Sequence, residues 1–292
     1  MPHLIPTSAI DKYTAGPSAT TTAAVAAFQT AIRDTLGATY DTFLQGSYKN
    51  DTAIRDINDV DIVALRRTTV STVFSTERTI VSITWEEIFR AIEQTLNESA
   101  RFRGKVRRGD KCIKVEDTWK ADVIPAVRIR PSSDDDPIAV YSFREGKERQ
   151  NWPRDHYANG VAKNKLTSSH YKPTVRMFKN WASNHWPTTN IAPSFYVECL
   201  VSNVPDSEFV GDFAQCLLIV GTWIVRNLPV TASTKIWSVA RHKDVLGGGE
   251  WSFERYSTFH RQLDHSMGLL AKAYQATSSA EALRLWKLIF NE

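Results

Sequence analysis

Cysteine is scarce in this chain of 292 residues: three in all, Cys112, Cys199 and Cys216. They are odd in number and far apart, and none belongs to a Cys-x-x-Cys pair or a Cys/His cluster. That excludes a disulfide framework and a zinc site of the usual spacing, and it suits a reducing compartment. Long apolar runs are missing as well; none approaches the roughly 20 residues of a membrane-crossing helix. The segment Met1 to Asp11 lacks the charged start and apolar stretch of a secretory signal, so a cytoplasmic protein with no membrane contact is expected. A strong charge of one sign is also lacking. The 36 Lys and Arg against 32 Asp and Glu leave a net charge of +4. That balance fits small phosphorylated ligands and falls short of an obligate nucleic-acid binder. Gly247-Gly248-Gly249 has no Lys-Ser/Thr continuation, so it reads as a hinge or turn and not as a P-loop. No internal repeat and no long low-complexity segment is present. What is there, 42% hydrophobic and 23% charged residues, is the make-up of a soluble globular protein. The length allows one large domain or two lobes with a real core.

The pattern of elements changes near residue 150. Before it, helix and strand signals mix. Ala24, Ala27, Phe28, Ala31 and Ile32 recur at helical spacing, predicting a helix from Ser18 to Leu36 with Gly37 as its stop. Thr42 to Gly46 reads as a short strand ending in a Gly-Ser turn, and Val60 to Leu65 as a near-continuous apolar strand. Trp85 to Leu96 reads as a helix capped by Thr84 with Glu86 and Glu87 in its first turn. Cys112 to Glu116, Ala121 to Ile129 and Ile138 to Phe143 read as strands. Asp134-Asp135-Asp136-Pro137 reads as a charged loop tip rather than a metal site. After residue 150 helical periods dominate: Thr174 to Trp186, Ser194 to Val201, Asp206 to Leu228, Arg255 to Gln275 and Ser279 to Phe290. Prolines mark the joints. The expectation is an α/β (α+β) chain of two lobes, residues 1–150 with a mixed sheet and residues 151–292 all helical, with a ligand-binding cleft between them.

The chemistry concentrates at Asp59-Val60-Asp61. Strand side chains alternate with period two, so two acids one residue apart point to the same face. Carboxylates held that close repel unless a cation lies between them, and hard divalent ions take such oxygen ligands. Gly46-Ser47, just upstream, offers backbone N–H groups and a hydroxyl suited to phosphate. A third acid, Asp122, opens a later apolar strand. Asp51 and Asp56 fall outside this frame. Arg101, Arg103, Lys105, Arg107, Arg108, Lys111 and Lys114 form a basic cluster. It is open to two readings, a solvated strand edge or a contact for polyphosphate or RNA. His156, His170 and His185 have no assigned role.

A Gly-Ser turn, a DxD strand and a lone Asp on a neighbouring strand match the polymerase-β-like nucleotidyltransferase pattern. The flanking text is narrower. Gly46-Ser47-Tyr48, Thr52-Ala53-Ile54-Arg55, Asp59-Val60-Asp61-Ile62-Val63 and Asp122-Val123-Ile124-Pro125-Ala126 resemble the bacterial cGAS/DncV-like nucleotidyltransferases, relatives of oligoadenylate synthase. In the helical half so do Lys172-Pro173, Val175 to Trp181, Ser194 to Leu200 and Trp286 to Phe290. The resemblance spans roughly residues 18 to 290. It implies a polymerase-β-like core with an oligoadenylate-synthase-like helical lobe. It also implies a bacterial cytoplasmic enzyme making cyclic di- or trinucleotides that activate an effector in anti-phage (CBASS) defence.

By that resemblance Asp59, Asp61 and Asp122 are the catalytic acids and hold Mg2+, for which Mn2+ can substitute. Asp122 serves the ion nearest the attacking hydroxyl. Gly46, Ser47, Lys179 and Ser194 contact the triphosphate, and Phe195 stacks on the donor base, with neighbouring Tyr196 an alternative register. Ser194 also reads as a helix cap. Tyr157 to Thr167, including Asn164, lines the base pocket. The expected partners are ATP, GTP, UTP or CTP and, through the product, a downstream effector. A monomer is expected and nucleic acid is not required. Two other readings stay open: a nucleotidyltransferase acting on an RNA end or a protein, and an inactive nucleotide- or RNA-binding scaffold.

Overall fold

Ser18 accepts a hydrogen bond from the Thr21 N–H and starts a long alanine-rich helix, which Gly37 ends at φ +67°. In the computed structural model, which describes residues 3–55, 59–71, 73–74, 83–130, 137–189, 191–246 and 251–292, the chain runs in order through α1 (Thr7–Thr14), α2 (Ala19–Leu36), β1 (Tyr40–Gln45), α3 (Gly46–Asn50), β2 (Asp59–Val70), α4 (Trp85–Glu98), β3 (Val106–Arg108), β4 (Ile113–Glu116), β5 (Lys120–Arg128), β6 (Ile138–Ser142) and β7 (Lys147–Asn151). Helices then follow: α5 (Pro153–Leu166), α6 (Tyr171–His185), α7 (Ser194–Ser202), α8 (Phe213–Asn227), α9 (Phe253–Gln275) and α10 (Ser279–Ile289). Asp56, the acidic run Asp134 to Asp136 and the triglycine Gly247 to Gly249 lie outside the described residues.

Two compact units result. One comprises Pro17–Asp51 and Asp56–Asp155; the other comprises Met1–Gly16, Thr52–Arg55 and His156–Glu292. The first holds a mixed sheet in the order β1-β2-β5-β4-β3, with β6 paired to β5 and β7 to β6. β2 and β5 run parallel, and their neighbours are antiparallel. Period-two alternation gives this sheet two unlike faces. Val60, Ile62, Ala121, Val123, Ile113 and Val115 are buried with Phe28 and Ile32 of α2 and Ile88, Phe89 and Ile92 of α4. The other face carries Asp59, Asp61 and Asp122 at its polar end. Beyond them Val63, Leu65, Ala126, Ile138 and Val140 form a smaller cluster. Helix α4 is started by a full capping box, Thr84 with Glu87.

In the second unit the helices enclose a core that includes Trp181, Trp251, Tyr256, Phe259 and Trp286. The N-terminal segment belongs here for a packing reason. Tyr13 stacks on Phe290 with ring centroids 3.7 Å apart, and the Trp286 indole donates to the Ala9 carbonyl at 3.2 Å.

Several elements differ from the sequence expectation. The Gly-Ser pair opens the short helix α3 instead of forming a free turn. The strand β7, Lys-Glu-Arg-Gln-Asn, has no apolar alternation to announce it and is held by its ladder to β6. Helix α5 is polar nearly all round; of its residues only Gly160 is buried. The expected helix from Asp206 is broken, because Gly211 takes φ +80° and Asp212 caps α8 through the Ala214 and Gln215 N–H groups.

Candidate active site

Strand register brings the acids together. Asp61 of β2 sits directly opposite Asp122 of β5, and Asp59 opposite Lys120. Residues paired in register share a face, and neighbouring strands lie about 4.8 Å apart. The Asp61 and Asp122 carboxyls are therefore near neighbours, with Asp59 one step along the same face. Gly46, at φ +66°, lies against Asp61: a Cβ built there would stand 2.1 Å from Asp61 Oδ2. Gly46 is thus required twice, for its left-handed backbone and for the room Asp61 needs.

Cys112, 7% exposed, completes this corner. Burial, then the charge of Asp122 and a hydrogen bond to it, push the Cys112 thiol up to about 12. It stays protonated at neutral pH and donates to the Asp122 carboxylate. Among the described residues no three of His, Cys, Asp and Glu are gathered closely enough to hold a metal by themselves. The donor set still suits Mg2+, which takes one or two carboxylates and completes its shell with phosphate oxygens and water. Asp59, Lys114, Glu116, Lys120, Asp122 and Arg107 line a cavity of about 170 Å³ beside the pair.

Lys179, Ser194 and Phe195 belong to the helical unit. The Lys179 ammonium donates to Glu198 Oε2 at 2.7 Å, Thr52 Oγ1 at 2.9 Å and the Thr52 carbonyl at 3.2 Å. The side chains of Lys179 and Glu198 are 3% and 4% exposed. All three N–H groups of Lys179 are taken, which leaves none for a phosphate in this conformation. Thr52 Oγ1 donates to Glu198 Oε2, and His156 Nε2 lies 2.8 Å from Glu198 Oε1. Burial alone would raise the Glu198 carboxyl; Lys179 first, then His156, outweigh it and hold it well below the usual carboxylate range. Sequence reasoning gave His156 no role and passed over Thr52 and Glu198. The available signal was a single acid inside the apolar run Val197 to Val201, facing a lysine inside the apolar α6.

Ser194 is the first residue of α7, with Pro193 at the cap position, so it is not the cap. Phe195 and Tyr196 differ in their packing. Tyr196 stacks on buried Trp251 at 5.6 Å, whereas Phe195 is 38% exposed with the Lys243 ammonium 5.5 Å from its ring. Asn164 uses its side-chain carbonyl to accept from the Lys172 N–H at the start of α6.

The basic cluster is mostly neutralised. Arg101 and Lys105 share Asp117, Arg107 pairs with Glu116, Arg108 with Glu86 and Glu93, and Lys111 with Glu145. Arg103 donates to the Glu98 carbonyl. Of the seven, only Lys114 has no side-chain hydrogen bond or close ion pair among the described residues, although its charge acts on Glu116. This favours the strand-edge reading over an RNA contact.

Comparison with known proteins agrees with this layout. Residues 158–268 match the cGAS/DncV-like nucleotidyltransferase C-terminal helical domain. The chain is 35% identical over 243 residues to a cyclic UMP-AMP synthase of Rhodothermus marinus, covering 76% of this chain and 82% of that enzyme. The structure of the Rhodothermus marinus CdnE c-UMP-AMP synthase with Apcpp and Upnpp superposes with a TM-score of 0.72 at 32% identity, covering 89% of this chain and 95% of that one. The Elizabethkingia meningoseptica CdnE cyclic dinucleotide synthase, solved with GTP and Apcpp, gives a TM-score of 0.66 at 25% identity, with coverage of 97% and 96%.

Proposed function

This chain belongs to the cGAS/DncV-like nucleotidyltransferases, and from that premise we propose that it is a cyclic oligonucleotide synthase using ribonucleoside triphosphates. A ribose 2′- or 3′-hydroxyl of one nucleotide attacks the α-phosphorus of a second, releasing pyrophosphate. A further transfer on the linear product closes the ring, the second for a dinucleotide and the third for a trinucleotide, each releasing pyrophosphate. The product is a di- or trinucleotide messenger for an effector in anti-phage defence. The observation that carries this reading is Asp61 in register with Asp122, with Gly46 fitted against Asp61. The solved relatives carrying two nucleotides or analogues support two triphosphate substrates.

Asp61 and Asp122, with Asp59, would hold magnesium or manganese, which when bound neutralises the triphosphate and favours loss of the hydroxyl proton. The chain's own residues orient and exclude. Gly46 leaves the Asp61 carboxylate its place, Asp122 faces the attacking hydroxyl, and the Cys112 thiol fixes the Asp122 carboxylate by hydrogen bonding. Exposed Phe195 offers a ring for a base. Positioning and charge neutralisation supply the rate, as in other phosphoryl transfers.

The test is the double variant Asp59→Ala, Asp61→Ala. Neither side chain is in the core, so melting and circular dichroism should stay close to wild type while product falls by about 10³-fold or more. Retained synthesis in the folded double variant would end this reading.

A further inference from the structure

The sheet gathers polar groups a second time, at the end of β2 away from the acids. Asp59 and Asp61 open this strand and Thr69 lies near its close, roughly 25 Å from Asp61 along the strand. Val63 and Leu65 belong to the cluster on the acid side of the sheet, and strict alternation would put Thr69 there too. Instead the register against β5 shifts between Arg66 and Val70. Thr69 then lines a cavity of about 430 Å³ with Ile88 of α4 and Val127 of β5, both of the core under α4. Bulges re-aim side chains in this way.

What the bulge delivers is a hydroxyl without a partner. Thr69 is 4% exposed and its Oγ1 makes no hydrogen bond among the described residues. Glu148 of β7 lines the same cavity and is 9% exposed. The Trp85 indole donates to Glu148 Oε1 at 2.8 Å. The Ser71 hydroxyl accepts from the Val73 and Phe74 N–H groups and spends its own proton on Glu148 Oε2. Both oxygens therefore accept, as those of an ionised carboxylate do. No cation among the described residues pairs with it, although a buried charge ordinarily has one. Aromatic rings complete the wall: Trp85 and Tyr141, stacked at 5.6 Å, and Phe143, edge-on to Tyr141 at 5.0 Å. Arg108 lies over Phe143, but it is bound to Glu86 and Glu93 and does not answer Glu148.

We propose that this cavity binds a small organic ammonium ion, an amine with a compact apolar body. The charged head pairs with Glu148 and donates to the Thr69 hydroxyl, and the body lies against Trp85 and Tyr141. A carboxylate beside aromatic faces is the chemistry that recognises such cations, and the volume is that of a small-molecule site. A hard metal ion would need more oxygen ligands than this wall offers. The site stands apart from the catalytic acids and does not depend on the nucleotidyl-transfer reading.

The experiment titrates the whole chain by calorimetry with 2-phenylethylamine, cyclohexylamine and butylamine, and with the uncharged alcohol that matches each. At least one amine is expected to bind about tenfold to a hundredfold tighter than its alcohol. Glu148→Gln should bring that ratio close to one. The ratio is internal to each protein, so partial unfolding cancels. Thr69→Val should cut the amine affinity about twofold to tenfold, while the ligand-free melting temperature holds or rises, because the hydroxyl has no bond to lose. No amine preferred over its alcohol at up to about 10 mM overturns the proposal. So does a preference that survives in Glu148→Gln, which would put the amine elsewhere on the chain.

Discussion

Glu198→Gln is expected to lower folding stability by about 3–5 kcal/mol, the usual consequence of breaking a buried ion pair by removing one partner. The reason lies in what remains. Gln keeps the shape and some hydrogen bonding, but the Lys179 ammonium is then left as a cation with only neutral acceptors, its side chain 3% exposed. Lys179→Met should cost less than that, because the buried Glu198 carboxylate keeps His156 and the Thr52 hydroxyl. The double variant should recover much of the loss, since neither charge is then left alone. The pH dependence has a definite sign. The Glu198 carboxyl is held below its ordinary range in the folded chain, so its stabilising share is complete above the unfolded value of about 4.3. It fades as pH falls toward the depressed folded value. The stability gap between wild type and Glu198→Gln should therefore be full at neutral pH and narrow in acid. Thermal melts of the four proteins across that range check both points; a constant gap would contradict the assignment.

Gly46→Ala is expected to cost about 10²-fold or more in product formation. Two effects combine. An L-residue at φ +66° carries roughly 1–2 kcal/mol of backbone strain. The new methyl would also stand 2.1 Å from Asp61 Oδ2, so the carboxylate must swing away from its place opposite Asp122. Gly37→Ala separates the two effects. Gly37 has φ +67° with nothing within 4 Å of the added Cβ. Its ψ of −164° is a glycine-only conformation, so Gly37→Ala should lose at least as much stability and keep its activity. Equal activity loss in both variants would mean that strain, not the displaced carboxylate, matters at Gly46.

Much of the sheet unit was readable from local text. The apolar runs after Asp61 and after Asp122 read as strands and are strands, and Thr84 with Glu86 and Glu87 announced the start of α4. What resisted reading depends on partners distant in sequence. Phe195 and Tyr196 are adjacent aromatics that read alike in the sequence; that Tyr196 is packed against Trp251 depends on a residue 55 positions away. Thr52 and Glu198 are 146 positions apart, so no window contains their hydrogen bond. The basic cluster looked like a patch because its acids, Glu86, Glu93, Asp117 and Glu145, are contributed from outside it. Lys114 stood in plain view within it, but its place opposite Asp122 exists only once β4 pairs with β5.

The most direct test of the central claim is to incubate purified protein with all four labelled ribonucleoside triphosphates and magnesium or manganese, treat with phosphatase, and read the products by mass spectrometry. The expected product is a small phosphatase-resistant species with the mass of two or three joined nucleotides, absent from the Asp59→Ala, Asp61→Ala variant. Label found only on a large acceptor would contradict the claim.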